Sequence, residues 1–168
     1  GMGNPIDGKG DIASTQKYPL YGKPINPMER KSIKEPLDVG ICAINTMIPL
    51  GRGQRVAIMA GSGVGKSVLM GMMTKHTTAD VIIIGLIGER GREVKDFVSD
   101  TLGKEGLARS VVVAATSDSP PLVRMRGAYL ATTMAEYFRD QGKNVLLIMD
   151  SITRYAMSSR DVGLAAGE

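Results

Sequence analysis

Residues 60–67 read AGSGVGKS, three glycines in eight positions with a lysine and a serine directly after the last. Bare backbone lets several amides close on a polyphosphate, the lysine adds positive charge, and the serine hydroxyl is a ligand suited to Mg²⁺. The stretch departs from the strict G-x-x-x-x-G-K-[ST] pattern by carrying Ala60 where the first glycine is usual, a tolerated variant. Read as a nucleotide site, it takes in Ala60, Gly61, Ser62, Gly63, Val64, Gly65, Lys66, Ser67 and Val68. Lys66 would reach the β and γ phosphates of the nucleotide as a point charge, and Ser67 would bind the metal. Two carboxylates stand at other strand ends. Asp150 closes the apolar run NVLLIMD (144–150), so its charge emerges partly buried and needs a partner. A magnesium shell is one such partner, and capping of the following helix is the plainer alternative. Glu89 closes IGLIGER, where it could polarise an attacking water or form a surface ion pair with Arg90 or Arg92. Arg154, four residues past Asp150, could face the phosphates or decorate a helix.

These residues need a scaffold that brings strand ends together, and the hydrophobic pattern supplies one. QRVAIMA (54–60), DVIIIGLIG (80–88), SVVVAA (110–115) and NVLLIMD (144–150) read as buried strands. Between them, residues 67–76 continue the glycine turn as a helix. Val94, Phe97, Val98 and Leu102 recur at helical spacing in a second helix ending near Gly103. A third helix starts at Ser119–Pro120, with the serine as cap and the proline in the first turn, and Leu130, Met134, Tyr137 and Phe138 form its apolar face. Continuous apolar strands alternating with helices predict an α/β fold, a mostly parallel sheet covered on both faces. In such sheets ligands sit at the carboxyl ends of the strands, where the glycine turn, Glu89 and Asp150 all fall. Residues 1–35 hold four of the eight prolines and read as a connector of turns and extended pieces.

Composition narrows the class. The 168 residues are 43% hydrophobic and 23% charged, within the ordinary globular range, which excludes disordered and collagen-like chains. A net charge of +4, no Trp and two Phe make a poor base-stacking platform, so nucleic acid is not an expected partner. The lone Cys42 allows no intrachain disulfide and reads as a small core residue. The eleven methionines read as core filler, and His76 as a solvated helix-end residue. No apolar run reaches the length of a membrane span and no secretory signal is visible, so the cytoplasm is the expected location.

PLDVGICAINTMIPLGRGQRVAIMAGSGVGKSVLMGMM, VIIIGLIGERGREVKDF and VLLIMDSITRYAMSSRDVGLAAGE together resemble the ATPase of flagellar protein export and type III secretion, a family similar in turn to the catalytic subunit of the rotary ATP synthase. The resemblance runs through nearly the whole chain, with GERGRE and DSITRYA its most specific motifs. It implies a RecA-like P-loop core that hydrolyses ATP with Mg²⁺ in a hexameric ring, peripheral to an inner-membrane export gate on its cytoplasmic face. It also implies export chaperones, cargo and a stator-like regulator as partners. Lys66 and Ser67 fall on the family's phosphate and magnesium ligands, Glu89 on its catalytic glutamate, Arg90 and Arg154 on active-site arginines, and Asp150 on the second-motif aspartate. The same resemblance makes residues 1–35 a linker after a missing amino-terminal β-barrel. Residues 36–168 then form the first part of the ATPase domain, without its last strands, adenine pocket and arginine finger. A fragment of that kind is expected to turn over barely by itself, since arginine fingers are worth about 10³ to 10⁵ in rate. The alternatives are a noncatalytic nucleotide-binding ring subunit, expected to lack the Glu89 carboxylate, and a RecA-like nucleic-acid translocase, expected to carry an RNA-binding domain or basic loops.

Overall fold

The computed structural model describes residues 2–13, 16–22, 24–61 and 63–168. Its centre is a three-stranded parallel sheet of β3 (Val81–Ile87), β4 (Ser110–Ala115) and β5 (Val145–Asp150), in the spatial order β4-β3-β5. Six of the seven β3 residues are buried, because helices cover both faces of the strand. Ile82, Ile84 and Leu86 point to one face, where Met70 of α2 (Lys66–His76), Phe97 and Leu102 meet them. Ile83 and Ile87 point to the other, against Ala131, Ala135 and Ala128 of α5 (Pro121–Asp140). On that second face Gly85 takes the place of a side chain: a Cβ there would stand 2.8 Å from Met149 Sδ and 3.2 Å from Ala131 Cβ. The strand can therefore approach α5 closely only as glycine.

Ahead of the sheet, β1 (Pro36–Leu37) and β2 (Leu50–Gly51) pair antiparallel around the short α1 (Cys42–Met47). Asp38 ties this turn to the end of α2: its carboxylate accepts from Gly40 N–H (2.7 Å) and Asn45 Nδ2 (2.6 Å), and its carbonyl from Thr78 N–H (3.1 Å). These donors hold its carboxyl below the usual range, the Gly40 amide most strongly. Among the described residues no hydrophobic side chain before Val39 is fully buried.

The sequence reading needs six corrections. Of the eleven methionines read as core filler, Met2, Met28, Met47, Met59, Met72 and Met157 are exposed, and Met70 and Met73 are the ones fully buried. Residues 54–60 form no strand, and Val56, Ile58 and Met59 are 53%, 39% and 91% exposed. An apolar run becomes a strand only where an edge pairs with it and a face covers it, and no described strand does so here. The helix foreseen to end near Gly103 is three pieces: α3 (Gly91–Asp96), a π-helical turn (Phe97–Leu102) and α4 (Gly103–Ala108). Residues five apart nearly align on the wider π turn, which lets both Phe97 and Leu102 face the core. The helix foreseen from Ser119–Pro120 begins at Pro121 instead, because Pro120 precedes another proline and is forced into an extended conformation (φ −54°, ψ 149°). Ser119 Oγ lies 3.3 Å from Thr116 Oγ1 and caps nothing. On α5 the innermost positions are the small residues Gly127, Ala128, Ala131 and Ala135, which let the helix sit close, with Leu130, Met134 and Phe138 flanking them. Lastly, Cys42 is exposed at the start of α1, while His76 is exposed at the end of α2 as foreseen.

Candidate functional site at the carboxyl ends of the strands

The glycine turn leads into α2 through two glycines in the left-handed region, Gly63 (φ +76°) and Gly65 (φ +95°), the latter the residue before the first helical turn. An L side chain is strained at these angles, so the turn requires glycine although nothing crowds the positions. Lys66 and Ser67 then fall in the first turn, where backbone amides point outward and the helix dipole favours an anion. Beside the loop lies a cavity of about 420 Å³ lined by Ala60, Val64, Gly65, Lys66, Val68, Leu69 and Met72. Gly61 is exposed, and Ser62 lies outside the described residues.

Across from the loop, β5 ends in Asp150, 6% exposed. Parallel register sets Asp150 beside Leu86 and Ala115 beside Ile87, so β3 projects Gly88 and Glu89 just past both neighbours. Lys66 Nζ donates to Asp150 Oδ1 at 2.7 Å, which answers the buried carboxylate's need for a partner. The Asp150–Ser151 peptide is cis.

Glu89 has a different surrounding. Its side chain is 14% exposed and pairs with Arg154 Nη1 at 3.1 Å, in place of the Arg90 or Arg92 pairing that spacing allowed. Burial, first, and a hydrogen bond with Glu93 push its pKa up to about 7, with the nearby Asp150 and Glu93 charges adding to the rise and Arg154 opposing it. Glu93 on α3 is held below the usual range, mainly through the same bond. The backbone at Glu89 is fixed from β4: Gly88 N–H donates to Ala115 O (2.6 Å) and Ser117 N–H to Glu89 O (2.9 Å).

Arg154 comes from α6 (Ile152–Ala166), and its guanidinium also donates to Gly88 O. Gly88 has φ +75°, and a Cβ there would stand 2.9 Å from Arg154 Cδ, so the arginine stem lies directly on the glycine. Arg90 is not gathered in with the others. It precedes α3, 81% exposed, with Glu93 4.0 Å away. Sequence reasoning missed Glu93, four residues after Glu89 and so on the same side of a helical turn. It also missed Arg109, whose guanidinium donates to the carbonyls of Thr74 (3.3 Å), Lys75 (3.0 Å), Thr77 (2.7 Å) and Ala79 (3.3 Å), and so closes the carboxyl end of α2. No sequence signal marks that role.

Comparison with known proteins places this arrangement. Residues 40–168 match the ATP synthase alpha/beta family, nucleotide-binding domain. Over all 168 residues the chain is 58% identical to a flagellum-specific ATP synthase of Pseudomonas aeruginosa and 51% identical to a type 3 secretion system ATPase of Xanthomonas euvesicatoria, spanning 37% and 38% of their lengths. Among solved structures, the EscN ATPase in complex with its central stalk EscO, from enteropathogenic E. coli, superposes with a TM-score of 0.85 at 51% identity. That match covers 94% of this chain and 40% of the other. A prototypical ATPase of the type III secretion system of pathogenic bacteria gives 0.84 at 54% identity, over 89% of this chain and 43% of that one. With its glycine turn, Asp150 and Glu89 drawn to one end of a parallel sheet, the chain belongs to the ATP synthase alpha/beta family, whose nucleotide-binding domain matches residues 40–168.

Proposed function

We propose that this chain is the phosphate-binding part of an ATPase that energises protein export through a flagellar or type III secretion apparatus. The observation that carries the reading is the convergence of Lys66, Asp150, Glu89 and Arg154 beside a glycine turn at the carboxyl ends of parallel strands. Lys66 binds the outer phosphates, and the amides of the turn and the first turn of α2 cradle them. Glu89, poised near neutral pH, takes the proton of the attacking water, and Arg154 holds its carboxylate in place. Arg90, exposed, stands where it could reach charge arriving from outside the fold.

The residues fit Mg²⁺. Ser67 and Asp150 offer a hydroxyl and a carboxylate, hard oxygen ligands of the kind that hold this ion together with substrate phosphates. The ion would neutralise charge on the β and γ phosphates. Lys66 has one ammonium group and two claims on it: when it turns to a phosphate, Asp150 loses its partner and becomes a buried, unpaired charge unless a cation replaces it. Nucleotide and divalent cation therefore bind as a unit.

The related EscN ATPase has been solved assembled and with a central stalk. We extend an oligomeric ring and a stalk-like partner to the protein containing this chain, with export chaperones and cargo as its clients at the cytoplasmic face of the inner membrane. Among the described residues no helix is long and apolar enough to cross a membrane. Residues 1–35 serve as a linker and 36–168 as the first part of the ATPase domain.

The test uses the full-length protein that contains this sequence. Lys66→Ala weakens Mg²⁺-ATP binding by about 10- to 100-fold, the worth of a charge-assisted hydrogen bond. Glu89→Gln keeps binding and loses about 10² to 10⁴ in turnover. Unchanged affinity in the first variant, or unchanged turnover in the second, would refute the corresponding role.

A further inference from the structure

All five tyrosines of the chain lie on one seam, where residues 16–22 cross α5 and α5 meets α6. Tyr18 meets Tyr137 edge to face (centroids 5.6 Å apart), and Tyr21 meets Tyr129 in the same manner (5.1 Å). Between these pairs Thr133 Oγ1 donates to Leu20 O at 2.8 Å, and beyond them Tyr137 OH donates to Gln16 Oε1 at 3.0 Å. The spacings agree with an extended segment running antiparallel to the helix. Three extended residues span about 10 Å, and the eight helical residues from 129 to 137 span about 12 Å.

The line continues from α5 to α6. Tyr129 meets Tyr155 edge to face at 6.1 Å, and Tyr155 OH donates to Tyr129 OH at 3.2 Å. Tyr155 also packs beside Ile87, Ala115 and Ala128. Its neighbour in sequence is Arg154, which holds Glu89 and Gly88 O. Consecutive residues on a helix stand about 100° apart, so anchoring Tyr155 on one side of α6 sets the direction in which Arg154 leaves the other. The helix has few other anchors. Among its described residues Ser158 alone is fully buried, while Ile152, Met157 and Leu164 are 60–67% exposed.

We propose that Tyr155 and Tyr129 are positioning residues for Arg154, and that the connector completes the hold through Tyr21, so that docking of residues 16–22 on α5 governs how firmly Arg154 grips Glu89. The proposal deepens the reading of Glu89 as the base and rests on it for its catalytic meaning. The groups that share the space around Glu89 are Glu93 and Arg90 from α3 and its start, Asp150 with its partner Lys66, and Arg154 itself.

The test follows the Arg154 guanidinium protons by NMR in the 168-residue chain without nucleotide, the signal being assigned by its loss in Arg154→Lys. In the unaltered chain these protons exchange slowly, as expected for a guanidinium held by a carbonyl and a carboxylate. Tyr129→Leu abolishes the protection, and Tyr129→Phe, which keeps both ring contacts, restores most of it. Tyr21→Ala speeds exchange about threefold to tenfold, the worth of one edge-to-face pair. Unchanged exchange in folded Tyr129→Leu and Tyr21→Ala overturns the proposal, as does an unaltered chain whose Arg154 exchanges like free arginine. Should Tyr129→Leu fail to fold, Tyr21→Ala decides alone, since its side chain is 61% exposed and carries little of the core. Because no nucleotide is present, failure of this coupling and failure of the ATPase reading are separate results.

Discussion

Replacing Arg154 by methionine keeps much of the stem that lies on Gly88 and removes the charge 3.1 Å from Glu89. At that distance the attraction is about 5 kcal/mol for an effective dielectric constant near 20 and about 1 kcal/mol for water. Arg154 is 40% exposed, which places the pair toward the lower figure. A loss of about 1.4 kcal/mol moves the Glu89 midpoint from about 7 to about 8. At pH 7 the ionised share then falls from about one half to about one tenth, so any step that needs the carboxylate slows about fivefold, and the deficit fades by about pH 9 to 10. The direct assay is the carboxyl ¹³C shift of Glu89 against pH, assigned with Glu89→Gln. Arg154→Lys, which keeps a positive charge, moves the midpoint less than Arg154→Met. A midpoint near the ordinary 4.5 in the unaltered chain, or one that Arg154→Met leaves in place, refutes the reasoning. The sign of the stability effect follows from the same shift. A carboxyl whose folded pKa lies above its unfolded value contributes stability below about pH 4.5 and loses it as pH rises through about 7. Glu89→Gln accordingly gains stability relative to the unaltered chain across that window, by about 2 to 3 kcal/mol at its upper end. Asp38, Asp118, Asp140 and Glu93, all held below their ordinary values, lose their contributions only at more acid pH and do not mask it.

Three further outcomes follow from packing. Gly71 lies on α2 where a Cβ would stand 2.0 Å from Thr101 Cγ2 but 3.5 Å from Thr101 Cβ; Gly71→Ala therefore costs about 1–3 kcal/mol in chemical denaturation, and adding Thr101→Ser recovers most of it. Arg109→Met strips four carbonyl contacts from the end of α2 and lowers stability by about 2–3 kcal/mol, with the loss of amide protection largest at residues 74–79 in hydrogen exchange. Gly88→Ala adds left-handed strain of about 1–2 kcal/mol and pushes on the Arg154 stem, so a denaturation midpoint equal to that of the unaltered chain would contradict the geometry at this turn.

Much of the scaffold is legible in the sequence because its signals are local. The runs at 81–87, 110–115 and 145–150 become parallel strands as their apolar pattern predicts, with the central β3 covered on both faces, while β4 and β5 are half-buried and Leu147 of β5 is exposed. The glycine turn feeds a helix that starts at Lys66, one residue from the expected start. Where the reading fails, the missing information is tertiary. QRVAIMA has the composition of a buried strand, but composition does not supply a neighbour. The π turn at Phe97–Leu102 answers the demand that two large side chains reach one core, which helical spacing alone cannot reveal.

The site divides along the same line, and strand order is the reason. Every strand of a parallel sheet ends on the same side, so a residue that follows an apolar run can be assigned to that side from sequence alone; Glu89 and Asp150 are legible in this sense. Which end stands beside which depends on the order β4-β3-β5, and sequence carries no local mark of that order. With β3 in the middle, Glu89 lies between Ser117 beyond β4 and Asp150 at the end of β5, and the helix after β5 brings Arg154 back over Gly88. Spacing alone suggested the near-neighbour arginines 90 and 92 as partners of Glu89, yet both are outbid by a residue on a helix two strands later in the chain, because those two face solvent and pair along their own helix. Burial then does the rest: a carboxylate enclosed at 14% exposure, with one cation on one side and two carboxylates near it, titrates near neutrality, whereas the exposed Glu93 beside it stays ionised. The difference between two glutamates four residues apart is thus set by the sheet order that encloses one of them.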